Sequence, residues 1–457
     1  MPVTITIYGG AGEIGANKIL IHDKGYDTKF FLDFGKSFET MRKFYDFPVA
    51  PQSLDELIQV GGTPDILNLY HQPSKNDQPA SDVEAVLLSH AHTDHSGYLP
   101  LLNRSIPIHM GECTRTIFEA RLQGTRKSFD TDIEGQTIKT FRTGNRVKLN
   151  GIEIQPVHVD HSIPAAYGFI IYCSEITIVY TGDFRRHGAL PQLTEDFVKA
   201  IQKSGPPDVI LSEGTNIAKA ELATEQEVLE KVTTIFRGCK SLTISDFSEP
   251  DFDRFRTMLS AATRNERKLV LEPRRMWILN AINHCRDLQT PNIANDTEIL
   301  WFDAQKKRVS KYEKLLQNAD PPIKNLDERA VTAKDLHKQP TRYVFCSSFG
   351  SISTMQKIKP PESGIYLLSA SEPFNEESEI GFDKLLNWLA LSGLAMYNSH
   401  CSGHIHPIQL CQTLEEIRPK NLVPIHTEAP ELFQRFVKRT GIPVQIPKQG
   451  VPLKFSL

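Results

Sequence analysis

The chain has 457 residues, of which 40% are hydrophobic and 23% are charged, a globular composition that excludes global disorder. At about 100–200 residues per domain, this length suggests two to four domains. A net charge of −3 argues against a basic coat but allows one basic cleft that binds nucleic acid. The count that stands out is that of the 15 histidines.

Neither end of the sequence nor its cysteines indicates export. No basic segment with an apolar core precedes the first strand pattern, and no run of about 18 apolar residues occurs, so we expect neither a secretory signal nor a transmembrane helix. The seven cysteines are scattered without a C-x-x-C pair, which is typical of reduced thiols in a cytosolic protein. We therefore expect a cytoplasmic protein.

The first two hundred residues predict short strands separated by loops. The expected elements are strands at 3–8, 17–22, 28–33, 85–89, 152–158, 167–173 and 176–180, a helix at 112–123 and a surface loop at 71–79. Many short strands with few long helices indicate a layered sheet structure.

After Gly205-Pro206-Pro207 the pattern changes to strands that alternate with helices. The expected strands are 208–211, 241–244, 268–271, 343–346, 364–368, 395–398 and 422–425, and the expected helices are 224–237, 249–262, 276–286, 380–391 and 429–440. Such alternation predicts a parallel sheet covered by helices. We expect one domain, formed by 1–207 and 395–457, that is interrupted by a second at 208–394.

A glycine-rich run near the N-terminus fits the dinucleotide-binding pattern G-x-G-x-x-G. It runs from Gly10 to Gly15, and Asp33 follows 23 positions after Gly10. In that motif a helix must follow the glycines, but residues 17–22 alternate like a strand. We therefore predict a tight loop between two strands, close to something at the sheet edge.

The strongest signal is a histidine-rich run after the apolar strand pattern at 85–88. It contains His90, His92, Asp94 and His95, four candidate ligands within six positions. Imidazole nitrogen and carboxylate oxygen are donors that Zn²⁺ accepts. Because alternate side chains of an extended backbone share a face, His90 and His92 can bind one ion while Asp94 and His95 face a second.

Two later strand ends supply further candidate ligands. His161 follows the strand pattern at 152–158, and Asp183 follows the strand at 176–180 directly after a glycine. A carboxylate at such a position is suited to bridging two metal ions.

This ordered set resembles the metallo-β-lactamase superfamily, in which an Asp closes an early strand and H-x-H-x-D-H, a lone His and an Asp follow. The resemblance implies an αββα sandwich, and it implies that Asp33 orients a metal ligand.

Three later runs resemble motifs A, B and C of the β-CASP nucleases, in which a parallel domain flanked by helices is inserted into this sandwich. They centre on Glu213, on His400 to His404 and on His426, and together with the N-terminal glycines they most resemble compact archaeal-type ribonuclease J. The chain carries Glu213 where that family usually has Asp. It ends 31 residues after His426, so no extra C-terminal domain is expected, and His406 is expected at the surface.

The resemblance implies a zinc-dependent ribonuclease that leaves 5′-phosphate and 3′-hydroxyl ends. The enzyme is expected to be a 5′-to-3′ exonuclease, with endonuclease activity as a second option. The implied metal ligands are His90, His92 and His161 for one Zn²⁺, Asp94, His95 and His426 for the other, and Asp183 between them. Asp94 would also orient the attacking water, and His404, supported by Glu213, would be the general acid. His400, Ser402 and Ser348 are candidates for contact with substrate phosphates.

Several alternatives stay open at this point. A DNA nuclease of the same group is disfavoured because the family's RNA enzymes carry a histidine in motif C and its DNA enzymes a valine, so His426 indicates single-stranded RNA. A small-molecule hydrolase and a non-catalytic RNA-binding protein are the others. We expect RNA to bind a groove between the domains that is lined by Arg185, Arg186, Arg274 and Arg275, no membrane contact, and a homodimer as one option for assembly.

Overall fold

The computed structural model contains three β-sheets and the helices that cover them. It describes residues 2–45, 49–72, 78–249, 251–283, 285, 288, 291–306, 308–370 and 376–456, with the backbone alone at 376–381. Part of the predicted surface loop at 71–79 and the end of the predicted helix at 276–286 lie outside the described residues.

The first two sheets each combine parallel and antiparallel strands. In spatial order the first sheet consists of Leu453–Phe455, Val3–Gly9, Lys18–Asp23, Thr28–Leu32, Ala85–Leu87, Ile108–Gly111 and Ile138–Phe141. The second consists of Leu422–Ile425, Val209–Glu213, Thr177–Tyr180, Ala166–Tyr172, Ile152–Val159 and Val147–Leu149.

These two sheets pack face to face around a shared apolar core. In Val3–Gly9 the side chains of Val3, Ile5 and Ile7 are buried in this core, as the alternation of the strand requires. Phe169 and Ile178 of the second sheet belong to the same cluster. We refer to the two sheets and their helices as the sandwich.

Helices cover both outer faces of the sandwich. Those on the first sheet are Phe38–Phe44, Leu54–Gln59 and Glu112–Gln123, and those on the second sheet are Pro191–Ser204, Pro407–Ile417 and Pro430–Phe436. The predicted αββα arrangement is therefore confirmed.

The third sheet is entirely parallel. Its order is Ala330–Thr332, Ile299–Asp303, Lys268–Leu271, Tyr343–Cys346, Thr243–Asp246, Ile365–Leu368 and Ala395–Asn398. One face packs on helices Glu225–Gly238, Phe252–Arg264, Pro273–Ile282 and Lys311–Gln317, and the other on Ala333–Lys338, Thr354–Ile358 and Glu376–Leu391. We call this body the parallel unit, and it confirms the predicted sheet flanked by helices.

Short helical turns join these elements. They are the α-helical turn Thr93–Ser96 and the 3₁₀ turns Leu99–Leu101, Asp327–Arg329, Pro340–Arg342, Phe349–Ser351 and Val437–Thr440. Among the described residues, no helix combines the length and the apolar character needed to cross a membrane.

Several elements were predicted with their observed bounds, among them Lys268–Leu271, Tyr343–Cys346 and Glu112–Gln123. Others were missed, such as Ile108–Gly111 and Ile299–Asp303. Those two strands are short and largely buried, so they lack the alternation that marks a half-exposed strand.

The domain limits predicted at 207/208 and 394/395 remain predictions. Strand pairing assigns Val209–Glu213 to the second sheet, beside Thr177–Tyr180, and Ala395–Asn398 to the third sheet, beside Ile365–Leu368. The second sheet therefore extends a few residues beyond the predicted limit at 207/208, and the third sheet extends a few residues beyond that at 394/395.

We expect Phe169→Ala to destabilise the sandwich by about 3–5 kcal/mol, because the ring is fully buried and packs edge-on against Phe141. Urea unfolding followed by circular dichroism measures the change. Leu67→Ala is the matched control, since that side chain is 83% exposed. Equal unfolding midpoints for both variants would contradict the assigned core.

Candidate active site

The candidate ligands meet because they follow strands whose ends lie at one edge of the sandwich. In the first sheet, Thr28–Leu32 and Ala85–Leu87 are parallel neighbours, so Asp33 and the histidine run leave the sheet together. In the second sheet, Thr177–Tyr180, Val209–Glu213 and Leu422–Ile425 are parallel neighbours, which brings Asp183, Glu213 and His426 to one edge.

Four of these side chains form a first group. The ligand atoms of His90, His92, His161 and Asp183 all lie within 4.8 Å of one another. Nδ1 of His92 is 3.0 Å from Nε2 of His90 and 3.0 Å from Nε2 of His161.

A second group shares Asp183. It consists of Asp94, His95, Asp183 and His426, again with ligand atoms within 4.8 Å of one another. Oδ2 of Asp183 lies 3.1 Å from Nε2 of His95, 3.7 Å from Nε2 of His426 and 3.6 Å from Nε2 of His90. One carboxylate therefore stands between two sets of imidazoles, and its role as a bridge between two metal ions remains a prediction.

Asp33 accepts hydrogen bonds from the histidine-rich run of the first sheet. Its carboxylate accepts hydrogen bonds from the backbone N–H of Ser89 at 2.6 Å, from the Ser89 hydroxyl at 2.8 Å, and from the Tyr180 hydroxyl. It also accepts from Nδ1 of His95 at 2.7 Å. Asp33 is fully buried and contacts a candidate ligand rather than the shared centre.

Hydrogen bonds at Nδ1 turn Nε2 of four histidines toward the two ligand groups. The acceptors are the Ser89 hydroxyl for His90, Asp33 for His95, the Gly403 carbonyl for His161 and the Thr215 hydroxyl for His426. The Thr215 hydroxyl donates to Glu213 at 2.8 Å, so it accepts from His426. A proton fixed on one ring nitrogen presents the lone pair of the other.

The ionisation of three of these residues also fits a metal centre. Burial lowers the pKa of His92 to about 4 and lowers the pKa of His90 and of His161 well below the usual range, so the three rings are neutral. Among the described residues, His95 Nε2 and both carboxylate oxygens of Asp183 have no hydrogen-bond partner of good geometry although they are buried. Buried polar atoms that converge without partners are suited to metal coordination.

The glycine-rich loop packs directly against this centre. A Cβ atom at Gly15, whose φ is +82°, would lie 2.7 Å from Cβ of Asp94, and one at Gly35 would lie 1.6 Å from the Asp94 carbonyl oxygen. The backbone N–H of His426 donates to the Gly10 carbonyl at 2.7 Å. The predicted tight loop between two strands is confirmed, and what it approaches is the ligand cluster.

His404 lies beside the cluster together with Glu213. Its Nδ1 is 3.3 Å from Oε1 of Glu213, 3.1 Å from Oγ1 of Thr215 and 3.8 Å from Oδ2 of Asp183. Burial alone lowers the pKa of His404, but the charges of Glu213 and Asp183 outweigh it and raise that pKa to about 9. The side chain is 21% exposed, so a protonated imidazole reaches the surface of the site.

The candidates for phosphate contact occupy different places. The Ser402 hydroxyl accepts from Nδ2 of Asn216 at 3.0 Å and lies two residues before His404, whereas His400 faces Arg254. Ser348 lies at the carboxyl end of Tyr343–Cys346 in the parallel unit, where it precedes the turn Phe349–Ser351.

The expectation that four arginines line an RNA groove is wrong for three of them. Arg185 is fully buried between Asp160 and Asp253, and Arg275 is buried and donates to the Phe247 carbonyl. Arg186 is largely buried and pairs with two glutamates. Arg274 keeps 47% of its side chain exposed. These three arginines are therefore held by carboxylates or by a backbone carbonyl and do not form an open basic surface.

His406 was expected at the surface, and the structure contradicts this. It is 3% exposed and stacks on His187 with ring centroids 3.6 Å apart. Sequence reasoning also missed Tyr180, Thr215 and Asn216, which orient the site through single hydroxyl or amide groups. Thr215 and Asn216 follow Glu213 within motif A, and their position in that motif could have identified them from the sequence.

Known proteins resemble this chain in sequence. Residues 61–235 match the family model described as a beta-lactamase superfamily domain. The chain is 23% identical to ribonuclease J of Mycoplasma genitalium over 448 residues, which cover 93% of this chain and 68% of the relative. It is 24% identical to ribonuclease J of Sinorhizobium meliloti over 444 residues, with the same coverage.

A solved structure shares the fold. It is described as a protein of unknown function from Enterococcus faecalis V583, and it aligns with a TM-score of 0.77 at 20% identity over 100% of both chains.

Residues 61–235 therefore resemble a beta-lactamase superfamily domain, and the chain is a metal-dependent hydrolase. Within that class it is similar to ribonuclease J along nearly its whole length, so the predicted resemblance is confirmed.

We expect Asp33→Asn to weaken metal binding about 10- to 100-fold, because an amide cannot accept from His95 and the other donors as the carboxylate does. Metal affinity is measured with Zn²⁺ as the probe, by competition with a chelating dye. Asp23→Asn is the matched control, since Asp23 is equally buried but accepts from Ser174 and Gly25 elsewhere in the sandwich. Equal affinities for the two variants would contradict an orienting role of Asp33.

Proposed function

We propose that this protein is a zinc-dependent ribonuclease that cleaves single-stranded RNA to 5′-phosphate and 3′-hydroxyl products. The observation that carries the proposal is the convergence of seven candidate ligand side chains beside His404 and Glu213. The similarity to ribonuclease J from several bacteria supports RNA as the substrate. A 5′-to-3′ exonuclease with additional endonuclease activity is the form we propose, and a cytoplasmic location and a homodimer remain predictions.

Seven residues would hold two zinc ions. His90, His92 and His161 would hold one, Asp94, His95 and His426 the other, and Asp183 would contact both. Support comes from Oδ2 of Asp183, which faces imidazole nitrogens of both groups at 3.1–3.9 Å. When bound, such ions neutralise phosphodiester charge and lower the pKa of water, which supplies a nucleophile at neutral pH.

Asp94 would orient the attacking water. Its Oδ2 lies 3.2 Å from Nε2 of His426, and the pKa of Asp94 is held well below its usual range by His95 and His426 although burial alone raises it. An ionised carboxylate accepts the hydrogen bond that aims a water molecule at phosphorus.

His404 would donate the proton that the leaving 3′-oxygen requires. Because Nδ1 faces Glu213, the proton would be given from Nε2, and Glu213 would stabilise the charged ring until transfer. Cleavage of the P–O3′ bond with protonation of O3′ leaves the 3′-hydroxyl on one fragment and the 5′-phosphate on the other. Glu213, in place of the family's usual Asp, also reaches the Thr215 hydroxyl.

His426 supports RNA rather than DNA as substrate through the family resemblance in motif C. Ser402 and His400 would contact phosphates next to the scissile bond, since both lie on the loop that carries His404. Ser348 would contact a phosphate farther along the parallel unit.

The function is tested with three labelled substrates: linear 5′-monophosphate RNA, circular RNA and single-stranded DNA. We expect zinc-dependent cleavage of linear RNA, weaker cleavage of circular RNA and little of DNA. DNA cleaved at the rate of RNA would instead identify a DNA nuclease, and binding without cleavage would identify a non-catalytic RNA-binding protein.

His404→Ala is expected to lower kcat on linear RNA by about 10²- to 10⁴-fold, the usual contribution of a general acid. Zinc content should stay that of the unsubstituted protein, because His404 is outside the proposed ligand set. His337→Ala is the control, since His337 is on the exposed side of helix Ala333–Lys338. Undiminished cleavage by His404→Ala would exclude the assigned role.

Metal removal should abolish cleavage, and zinc should restore it. After gentle purification we expect about two zinc ions per chain by elemental analysis. One ion or none, in protein that is fully active, would contradict the two-ion centre.

A further inference from the structure

The loop Ser399–His404 joins the parallel unit to the sandwich and carries the proposed general acid. It begins directly after Ala395–Asn398, the last strand of the third sheet, and ends at the ligand cluster. Two arginines with no solvent exposure, Arg185 and Arg254, donate hydrogen bonds to carbonyl groups of this loop.

Arg254 holds the loop from the parallel unit. Its Nη1 donates to both the carbonyl and the hydroxyl of Ser369 at 2.6 Å and lies 3.3 Å from Nδ1 of His400. Its Nη2 donates to the Cys401 carbonyl at 3.4 Å. Glu225 accepts from Nε at 3.0 Å and from Nη2 at 3.2 Å, which fixes the guanidinium plane.

Arg185 holds the loop from the sandwich. Its Nη1 donates to the Ser402 carbonyl at 3.0 Å. Its remaining nitrogens face Asp160 and Asp253, and Asp253 precedes Arg254 on helix Phe252–Arg264. The two arginines are thus connected through adjacent residues of one helix, and the charge of each is balanced by buried carboxylates.

We propose that Arg185 and Arg254 are positioning residues that fix His404 against the scissile bond and make its position depend on how the two units meet. Buried arginines of this kind suit the task because one planar guanidinium satisfies several fixed acceptors at once. The role rests on the proposed function, since His404 must be the general acid for the position of the loop to matter to the reaction.

A positioning role and a general structural role affect different steps of the reaction. A displaced general acid slows departure of a poor leaving group such as the ribose 3′-oxygen. It has little effect on p-nitrophenolate, which departs without a proton. Comparison of RNA with bis(p-nitrophenyl) phosphate therefore separates loss of the proton donor from loss of the whole site.

The test uses the full chain with Arg185→Lys and Arg254→Lys. Each keeps a positive charge among the carboxylates but cannot span the acceptors of the arginine. Glu225→Gln loosens Arg254 from its other side and serves if a lysine variant does not fold. Arg329→Lys is the matched control, because Arg329 is equally buried but donates to the Ile293 and Ile299 carbonyls elsewhere in the parallel unit.

We expect kcat on RNA to fall about 10- to 100-fold in the test variants, the cost of misplacing a reacting group by about 1 Å. KM, zinc content and hydrolysis of bis(p-nitrophenyl) phosphate should stay close to those of Arg329→Lys. Zinc content is measured because the Gly403 carbonyl orients His161. Equal loss on both substrates, loss of zinc, or no loss on RNA would overturn the proposal.

Hydrogen–deuterium exchange tests the clamp without relying on activity. Peptides that cover residues 399–404 should exchange faster in the test variants than in Arg329→Lys. Unchanged exchange would overturn the clamp. If the unsubstituted protein cleaves neither substrate, the proposed function fails, while the exchange result still decides whether the arginines fix the loop.

Discussion

The structure depends on one electrostatic constraint, the burial of the Asp183 carboxylate among histidine nitrogens from both halves of the sandwich. An ionised carboxylate removed from water is costly unless positive charge or hydrogen-bond donors compensate it. Here the surrounding imidazoles lower its pKa well below the usual range although burial alone raises it. The ligand groups on either side of Asp183 are therefore parts of one charge-balanced centre, which a bound cation completes.

The fold meets this constraint by aligning strand ends. Parallel neighbours in each sheet release Asp33, the histidine run, Asp183 and His426 at one edge, and the glycine-rich loop then closes over Asp94 at a distance that a Cβ atom would prevent. Two residues at the same edge, Asp33 and His426, adopt positive φ values of 56° and 51°. Residues held in sparsely populated conformations persist where the surrounding structure fixes them, and here they aim ligands.

The parallel unit is integrated with this centre through hydrogen bonds. Its last strand leads into the loop that ends at His404, and a carbonyl of that loop orients His161 in the first ligand group. Arg185 and Arg254 connect the loop to Asp253 and Glu225, so buried charge from both units meets behind His404. The positions of His404 and His161 therefore both depend on how the two units are packed.

The sequence by itself predicted the candidate ligands and determined the class of the fold. Spacing alone paired His90 with His92 and set Asp94 and His95 apart from them, because alternate side chains share a face and strand ends present ligands together. It misjudged Arg185 and His406, whose burial depends on partners distant in the chain, Asp253 and His187. Only the tertiary structure decided which charged side chains are exposed and which are buried beside the site. A charged residue that is close to a motif in sequence is exposed or buried according to the elements that pack against it.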